Sequence, residues 1–216
     1  SNGAATALWS FITLPIPPAA INKSSPANGA ANQSATPTLS WGTSAGATSY
    51  EYCYDTSNDN ACSSWTSNGT STSKTLNGLA LDTTYYWHVR AVNTDGTTYS
   101  DGSSISFWSF TTSPLPGSAP LTSPLGNIGS NYSPSYMWNE VSGATWYYLY
   151  INGPSGKVFD MWYQASAICS SGTCTVVAPA TLGGGNHTWY VQTYNSAGFG
   201  PWSTGMAFNT TIPIPP

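Results

Sequence analysis

The sequence predicts an all-β protein made of two tandem β-sandwich domains, preceded by one strand of a further module. Three observations carry that prediction. A set of motifs recurs at a spacing of roughly 100 residues, a usual size for one sandwich domain. Each copy alternates short runs of aromatic and β-branched residues with Gly, Asn and Asp turn signals. No segment sustains a helical hydrophobic period. With 10 Trp, 14 Tyr and 40% hydrophobic residues among 216, there is ample material for packed cores despite the chain's polarity.

The repeat is specific. Trp41-Gly-Thr-Ser-Ala-Gly-Ala-Thr-Ser-Tyr50 returns without a gap as Trp138-Asn-Glu-Val-Ser-Gly-Ala-Thr-Trp-Tyr147. Trp87-His-Val-Arg-Ala-Val-Asn93 is answered by Trp189-Tyr-Val-Gln-Thr-Tyr-Asn195, and a glycine follows each, Gly96 and Gly198. In the first copy, strands are expected over Thr38–Trp41, Ser49–Asp55, Thr83–Asn93 and Ser104–Thr111. Turns are expected at 67–70, 76–79 and 94–97, where Asn-Gly or Asp-Gly pairs occur. Many short strands per hundred residues, separated by turns, make a sandwich.

Leu79-Ala-Leu-Asp-Thr83-Thr-Tyr85-Tyr-Trp87-His-Val89-Arg-Ala91-Val-Asn93 resembles the corner between the fifth and sixth strands of fibronectin type III domains. That family places a Leu, a Thr and a corner Tyr before alternating core residues and an Asn-x-x-Gly turn. Trp41 stands where the family has its second-strand Trp. The second copy departs from the pattern, with His187 at the corner position and Leu182 displaced by one residue before three glycines. The stretches 52–62 and 191–202 resemble modules of large secreted bacterial surface proteins and polysaccharide-acting proteins. The resemblance covers about residues 20 to 212 and implies tandem fibronectin type III-like repeats; fold by itself does not fix function.

Leu8-Trp9-Ser-Phe11-Ile-Thr-Leu14-Pro-Ile-Pro17 aligns with Phe107-Trp-Ser-Phe-Thr-Thr-Ser-Pro-Leu-Pro116, the last strand and linker of the first domain. Residues 1–18 are therefore expected to be the last strand and Pro-rich linker of a preceding module. A fibronectin type III-like domain over 19–114 and a divergent one over 115–216 would follow. An unpaired apolar edge strand is a liability, so Leu8, Trp9 and Phe11 should pair with something. Either the missing strands of that module lie upstream, or residues 6–14 enter a neighbouring subunit's sheet by strand donation. The Pro-rich linkers favour extended, semi-rigid spacers.

Composition narrows the function classes. Only 6% of residues are charged, the net charge is −4, and the four basic residues, Lys23, Lys74, Arg90 and Lys157, are scattered. A nucleic-acid surface needs clustered cations, so that partner is not expected. No apolar run approaches the length of a membrane span, so membrane insertion is not expected either. The cysteines fall in close pairs, Cys53 with Cys62 and Cys169 with Cys174. Two local disulfides in an extracellular or cell-surface protein are expected, each restricting the unfolded chain by roughly 2–3 kcal/mol. Free thiols in a reducing compartment are the alternative. A zinc site is not expected, because neither pair has a third Cys or a His nearby.

No catalytic set is expected, and no cofactor. The acids Glu51, Asp55, Asp59, Asp82, Asp95, Asp101, Glu140 and Asp160 fall mostly in turns of separate domains, without the facing pair that glycoside hydrolysis needs. Asp55, Asn58, Asp59 and Asn60 make an oxygen-rich loop but lack calcium-loop spacing, so no metal is expected there. His88 should face outward, since Trp87 and Val89 take the inward positions. Asn-x-Ser/Thr sequons at Asn22, Asn32, Asn68, Asn131, Asn186 and Asn209 carry little weight in a chain so rich in Ser and Thr.

Strand parity gives the sharpest functional expectation. If Tyr50, Tyr52 and Tyr54 point inward, then Glu51, Cys53 and Asp55 point outward beside His88 and Arg90, and that face of the first domain is polar. In the second domain the same parity turns Trp146, Tyr148 and Tyr150 outward beside Tyr190 and Tyr194, forming one aromatic patch. Such a patch marks an interface with protein or with sugar rings, unless Trp162-Tyr163 and the loop to Cys174 fold back over it. The expected function is a non-catalytic extracellular structural or adhesive repeat, a rod-like spacer or a subunit of a bacterial surface fibre. Its partners would be neighbouring repeats or identical subunits. The alternative is a carbohydrate-binding accessory module that takes polysaccharide.

Overall fold

The computed structural model describes residues 14–211. Leu8, Trp9 and Phe11, and almost all of the segment expected to donate a strand, lie outside those residues. The strands form four sheets, two for each of two sandwiches. In the first, β1 (Lys23–Ser25), β3 (Thr38–Trp41) and β6 (Ser73–Thr75) make one sheet in the order β1-β3-β6. The facing sheet is built from β2 (Ala30–Gln33), β4 (Ser49–Asp55), β5 (Thr66–Ser67), β7 (Thr84–Asn93), β8 (Gly96–Tyr99) and β9 (Trp108–Thr112), in the order β2-β9-β7-β4-β5 with β8 also on β7.

The second sandwich repeats the plan. β10 (Leu121–Ser123), β12 (Ser135–Asn139), β15 (Cys169–Ser170) and β16 (Thr173–Val177) form a sheet ordered β10-β12-β16-β15. The larger sheet comprises β11 (Gly126–Asn127), β13 (Trp146–Gly153), β14 (Gly156–Gln164), β17 (Gly185–Asn195), β18 (Gly198–Trp202) and β19 (Met206–Thr210). Its order is β11-β19-β17-β13-β14, with β18 also on β17. Both are all-β sandwiches, as the sequence predicts. One helical turn, Ala165–Ile168, interrupts the strands where the chain passes from β14 to the opposite sheet.

Alternation sorts each strand into a core face and an outer face. In the first sandwich, Trp41, Tyr50, Tyr52, Tyr85, Trp87, Val89, Ala91 and Phe110 are buried. Tyr54, expected inward, is 38% exposed at the end of its strand. In the second, Tyr136, Trp138, Tyr147, Leu149, Ile151, Trp189, Val191 and Phe208 form a single cluster. Burying so many large rings is the main favourable contribution to each fold.

The repeated motifs have a shared mechanical reason. The Trp41 and Tyr50 rings pack at 6.1 Å, and Trp138 and Tyr147 at 5.5 Å. Each tyrosine hydroxyl then accepts a turn amide at 2.8 Å, Ser44 N in one domain and Val141 N in the other. Gly46 and Gly143 take left-handed backbone, with φ of 81° and 76°, which other residues adopt only at a cost. The carbonyls of those glycines accept from Asn93 Nδ2 and Asn195 Nδ2 at 3.0 and 3.1 Å. One repeated motif therefore holds the other.

The same asparagines fix the Pro-rich segment that precedes each domain. Asn93 Nδ2 donates to Ile16 O at 2.9 Å, and Asn195 Nδ2 to Pro114 O at 2.8 Å. These segments are hydrogen-bonded onto the domain that follows them.

The strand expected over Ser104–Thr111 begins only at Trp108. Residues 100–107 are drawn off the sheet instead, because Ser100 Oγ and Ser106 O accept hydrogen bonds from the buried Lys23 amine, at 3.1 and 2.6 Å.

Candidate binding face

The outer face of the larger sheet in the second domain carries the expected aromatic residues. Register aligns them in rows: Trp146 lies opposite Tyr194, Tyr148 opposite Gln192 and Tyr150 opposite Tyr190. On the other side of β13, Tyr148 lies opposite Trp162 and Tyr150 opposite Asp160. The structure thus brings Trp146, Tyr148, Tyr150, Tyr190 and Tyr194 onto one face, all partly exposed.

Trp162 does not cover that face. The hairpin places β14 alongside β13, so Trp162 joins the row at 4.9 Å from Tyr148, and Tyr163 turns inward against the core. The loop to Cys174 runs to the opposite sheet, where Cys174 is fully buried.

Phe199 and Trp202 complete the face, and sequence parity alone misses them. They are three residues apart, so strict alternation would send them to opposite sides. A bulge between Gln192 and Tyr194 shifts the register of β18 and presents both outward. Phe199 packs 5.0 Å from Tyr194, and Trp202 lies 5.8 Å from Tyr148 and 6.3 Å from Tyr150. Gly205 lets the chain pass close beside the Tyr190 ring, since a Cβ there would lie 2.5 Å from it.

The rings divide the face into two open troughs. One, of about 450 Å³, is lined by Trp146, Trp162, Tyr194 and Phe199. Tyr150, Tyr190, Trp202 and Ser203 line the other, of about 300 Å³. Exposure is high for apolar side chains: Phe199 58%, Trp202 44%, Trp162 37%. Asp160 adds a polar edge. Its carboxylate accepts the Tyr148 hydroxyl and pairs with Lys157 at 3.2 Å. That hydrogen bond to Asp160 is the main cause that pushes the Tyr148 phenol up to about 12, with desolvation second. The Tyr148 hydroxyl, and then Lys157, hold the Asp160 carboxyl below the usual carboxylate range.

The corresponding face of the first domain is closed. Arg90 pairs with Glu51 at 2.6 Å, and its guanidinium lies 4.3 Å from the Trp65 ring centre. Trp65 follows the loop closed by the Cys53–Cys62 disulfide and folds back over the sheet. His88, expected as an outward-facing polar residue, is fully buried. Trp65, Tyr99 and Phe107 pack on its ring at 6.0, 5.8 and 4.9 Å. Its Nε2–H donates to Ser103 O at 2.8 Å. Burial, and then the nearby Lys23 charge, lower its pKa to about 4, so the imidazole is neutral. Cys53 is buried as well. The outward parity of these side chains stands, but the loop covers them.

Both cysteine pairs are disulfide-bonded, Cys53 with Cys62 and Cys169 with Cys174. In the oxygen-rich loop, Asp55 and Asp59 accept amides of their own turns, Ser57 N at 2.9 Å and Ala61 N at 3.0 Å. Among the described residues, no three His, Cys, Asp or Glu cluster as metal ligands. No helix among them is long and apolar enough to cross a membrane. His187, at the corner position, is buried, donates Nε2–H to Gly183 O at 3.0 Å and stacks on Phe208 at 5.1 Å.

Among solved structures, the chain is similar to the Clostridium thermocellum CbhA fibronectin(III)-like modules. Identity there is 15%, with 89% of this chain and 93% of that chain covered and a TM-score of 0.42. It is also similar to the chicken CNTN1 FN1-FN3 domains, at 19% identity, with 93% and 68% covered and a TM-score of 0.35. Both domains are all-β sandwiches with the strand orders given above, and likenesses of this level carry no argument about function. No protein-family model and no curated protein matches the sequence.

Proposed function

We propose that the chain is a non-catalytic extracellular structural and adhesive repeat, and that its second domain makes contacts through the aromatic face. The observation that carries this reading is contiguity. Aromatic side chains from four adjacent strands stand in one exposed surface, while the equivalent face of the first domain is sealed. Apolar patches of this kind on soluble modules usually mark interfaces. Rigid rings supply contact area at low entropic cost. Two disulfides suit an oxidising compartment outside the cell. Recurrence of the module, with a Pro-rich segment docked before each copy, suits a spacer or fibre subunit whose first domain separates and whose second attaches.

Carbohydrate binding is the second reading, and the troughs favour it. Each is open along the sheet and walled by rings, with the Tyr148 hydroxyl, Asp160 and Gln192 on the same face. Sugar rings stack on such surfaces and need polar groups beside them. A glycan array and insoluble-polysaccharide pull-down of the intact chain, run beside sedimentation velocity, separates the two. Sugar retention lost in Tyr148→Ala and Tyr190→Ala supports the carbohydrate reading. Self-association or filament growth abolished by Trp162→Ala, without sugar retention, supports the structural one. Wild-type and variant chains that behave alike in both assays would sink both.

A further inference from the structure

We infer that the first domain closes an intramolecular amide bond between the Lys23 amine and the Asp101 carboxyl group, with loss of one water. The Lys23 side chain is completely buried, an unusual position for a lysine in a sandwich. Its Nζ lies 2.5 Å from Asp101 Oδ2, 2.6 Å from Ser106 O, 3.1 Å from Ser100 Oγ and 3.3 Å from His88 Nδ1. The Trp87 and Trp108 rings stand 5.7 and 5.4 Å away. Asp101 is pinned from the other side: its Oδ1 accepts Lys23 N at 3.2 Å, and its own amide donates to Ile21 O at 2.9 Å. It holds left-handed backbone at φ 55°, a conformation that Asp adopts more readily than most residues other than glycine.

Taking the Lys23 ammonium out of water is costly even with polar groups around it, whereas a neutral amide removes both charges. Burial, the largest influence, pulls the Lys23 amine below the ordinary lysine range, against the raising pull of Asp101. A neutral amine is the nucleophilic form. Groups held at contact distance reach effective molarities of roughly 10⁵–10⁸ M, enough to drive a condensation that does not proceed between free partners in water.

The step balances without a further reagent. The ammonium proton passes to Oδ2, leaving a neutral amine and a carboxylic acid. The nitrogen lone pair attacks Cγ and forms the N–C bond. His88 Nδ1, unprotonated because its ring proton sits on Nε2 toward Ser103 O, takes a proton from that nitrogen. It returns the proton to the carboxyl hydroxyl, and the C–O bond breaks to release water. Nothing is oxidised or reduced. The second domain is an internal control: Leu121 pairs with Trp138 as Lys23 pairs with Trp41, and Tyr190 takes the place of His88. The cross-link does not depend on the aromatic face having a partner. It would join residues 78 apart in sequence and hold the first strand of the domain to the segment before its last.

Mass spectrometry of the folded, then reduced and denatured, chain tests this directly. The chain should be lighter than its sequence by one water. Trypsin should fail to cut after Lys23, leaving residues 1–74 joined to 91–157. Lys23→Met should restore the full sequence mass and lower the Tm of the first domain by roughly 10–20 °C. In freshly refolded His88→Gln, compared at equal folded fraction, the light species should grow at least about 10²-fold more slowly. A full-mass wild-type chain that trypsin cuts after Lys23 would show an ion pair only and overturn the proposal. An unchanged rate in His88→Gln would overturn the proton path through the imidazole.

Discussion

The outer sheet faces of the two domains begin from the same strands and end in opposite states. In the first domain, His88 lies beneath Trp65, Tyr99 and Phe107, and Arg90 packs on Trp65 and pairs with Glu51. In the second, Tyr148, Tyr150, Tyr190 and Tyr194 meet Trp162, Phe199 and Trp202 and remain open. The inner faces hardly differ. What separates the faces is the chain after β4 and after β13. A disulfide-closed loop returns over one sheet, whereas a long hairpin strand widens the other. In a repeated fold, the connection after a strand therefore sets whether the outer face is covered or open.

The comparison breaks first if the cores are unequal. Trp41→Ala and Trp138→Ala should each cost about 3–5 kcal/mol, measured by denaturant unfolding of the separate transitions. A cost below about 1 kcal/mol in either would mean that the shared motif is not the common frame. His88 should make the first domain sensitive to mild acid. Its native pKa of about 4 lies below an unfolded value near 6.5, so the unfolded chain binds the proton first as pH falls. The stabilisation is full above about pH 6.5 and is lost toward pH 4, by roughly 2–3 kcal/mol. A first-domain Tm that stays level across that window would contradict a buried, neutral imidazole.

Asn93→Ala and Asn195→Ala should each cost roughly 1–3 kcal/mol, because turn amides and carbonyls lose their partner. Amide exchange should quicken at Gly96 and Ala197, whose N–H groups the two side chains accept. Equal exchange before and after substitution would remove the asparagine from that role. The smallest stability change belongs to the open face. Trp162→Ala should cost under about 1 kcal/mol, while Trp65→Ala should cost about 1–2 kcal/mol by uncovering Arg90 and His88. The reverse order would mean that the second face is structural.

Much of this was legible in the sequence. The repeat located both Trp–Tyr pairs, and β4 runs over Ser49–Asp55 as the alternation of that segment predicts. Cysteine spacing paired Cys53 with Cys62 and Cys169 with Cys174. Parity placed Tyr148 and Tyr190 on one side of one sheet. Parity fails where a strand bulges, so Phe199 and Trp202 were invisible to it. It also says which way a side chain points, not what lies above it. Parity puts His88 on the outer side, and only the fold shows that Trp65 and Phe107 close over it. Lys23 gave no sign of burial, because its carboxylate partner is 78 residues away and no local pattern links them.

Hydroxyl-radical footprinting of the intact chain tests the asymmetry most directly, because it reads both faces in one sample. Trp162, Phe199 and Trp202 should oxidise well ahead of His88, Tyr99 and Phe107. Comparable rates at His88 and Trp162 would contradict a closed first face and an open second one.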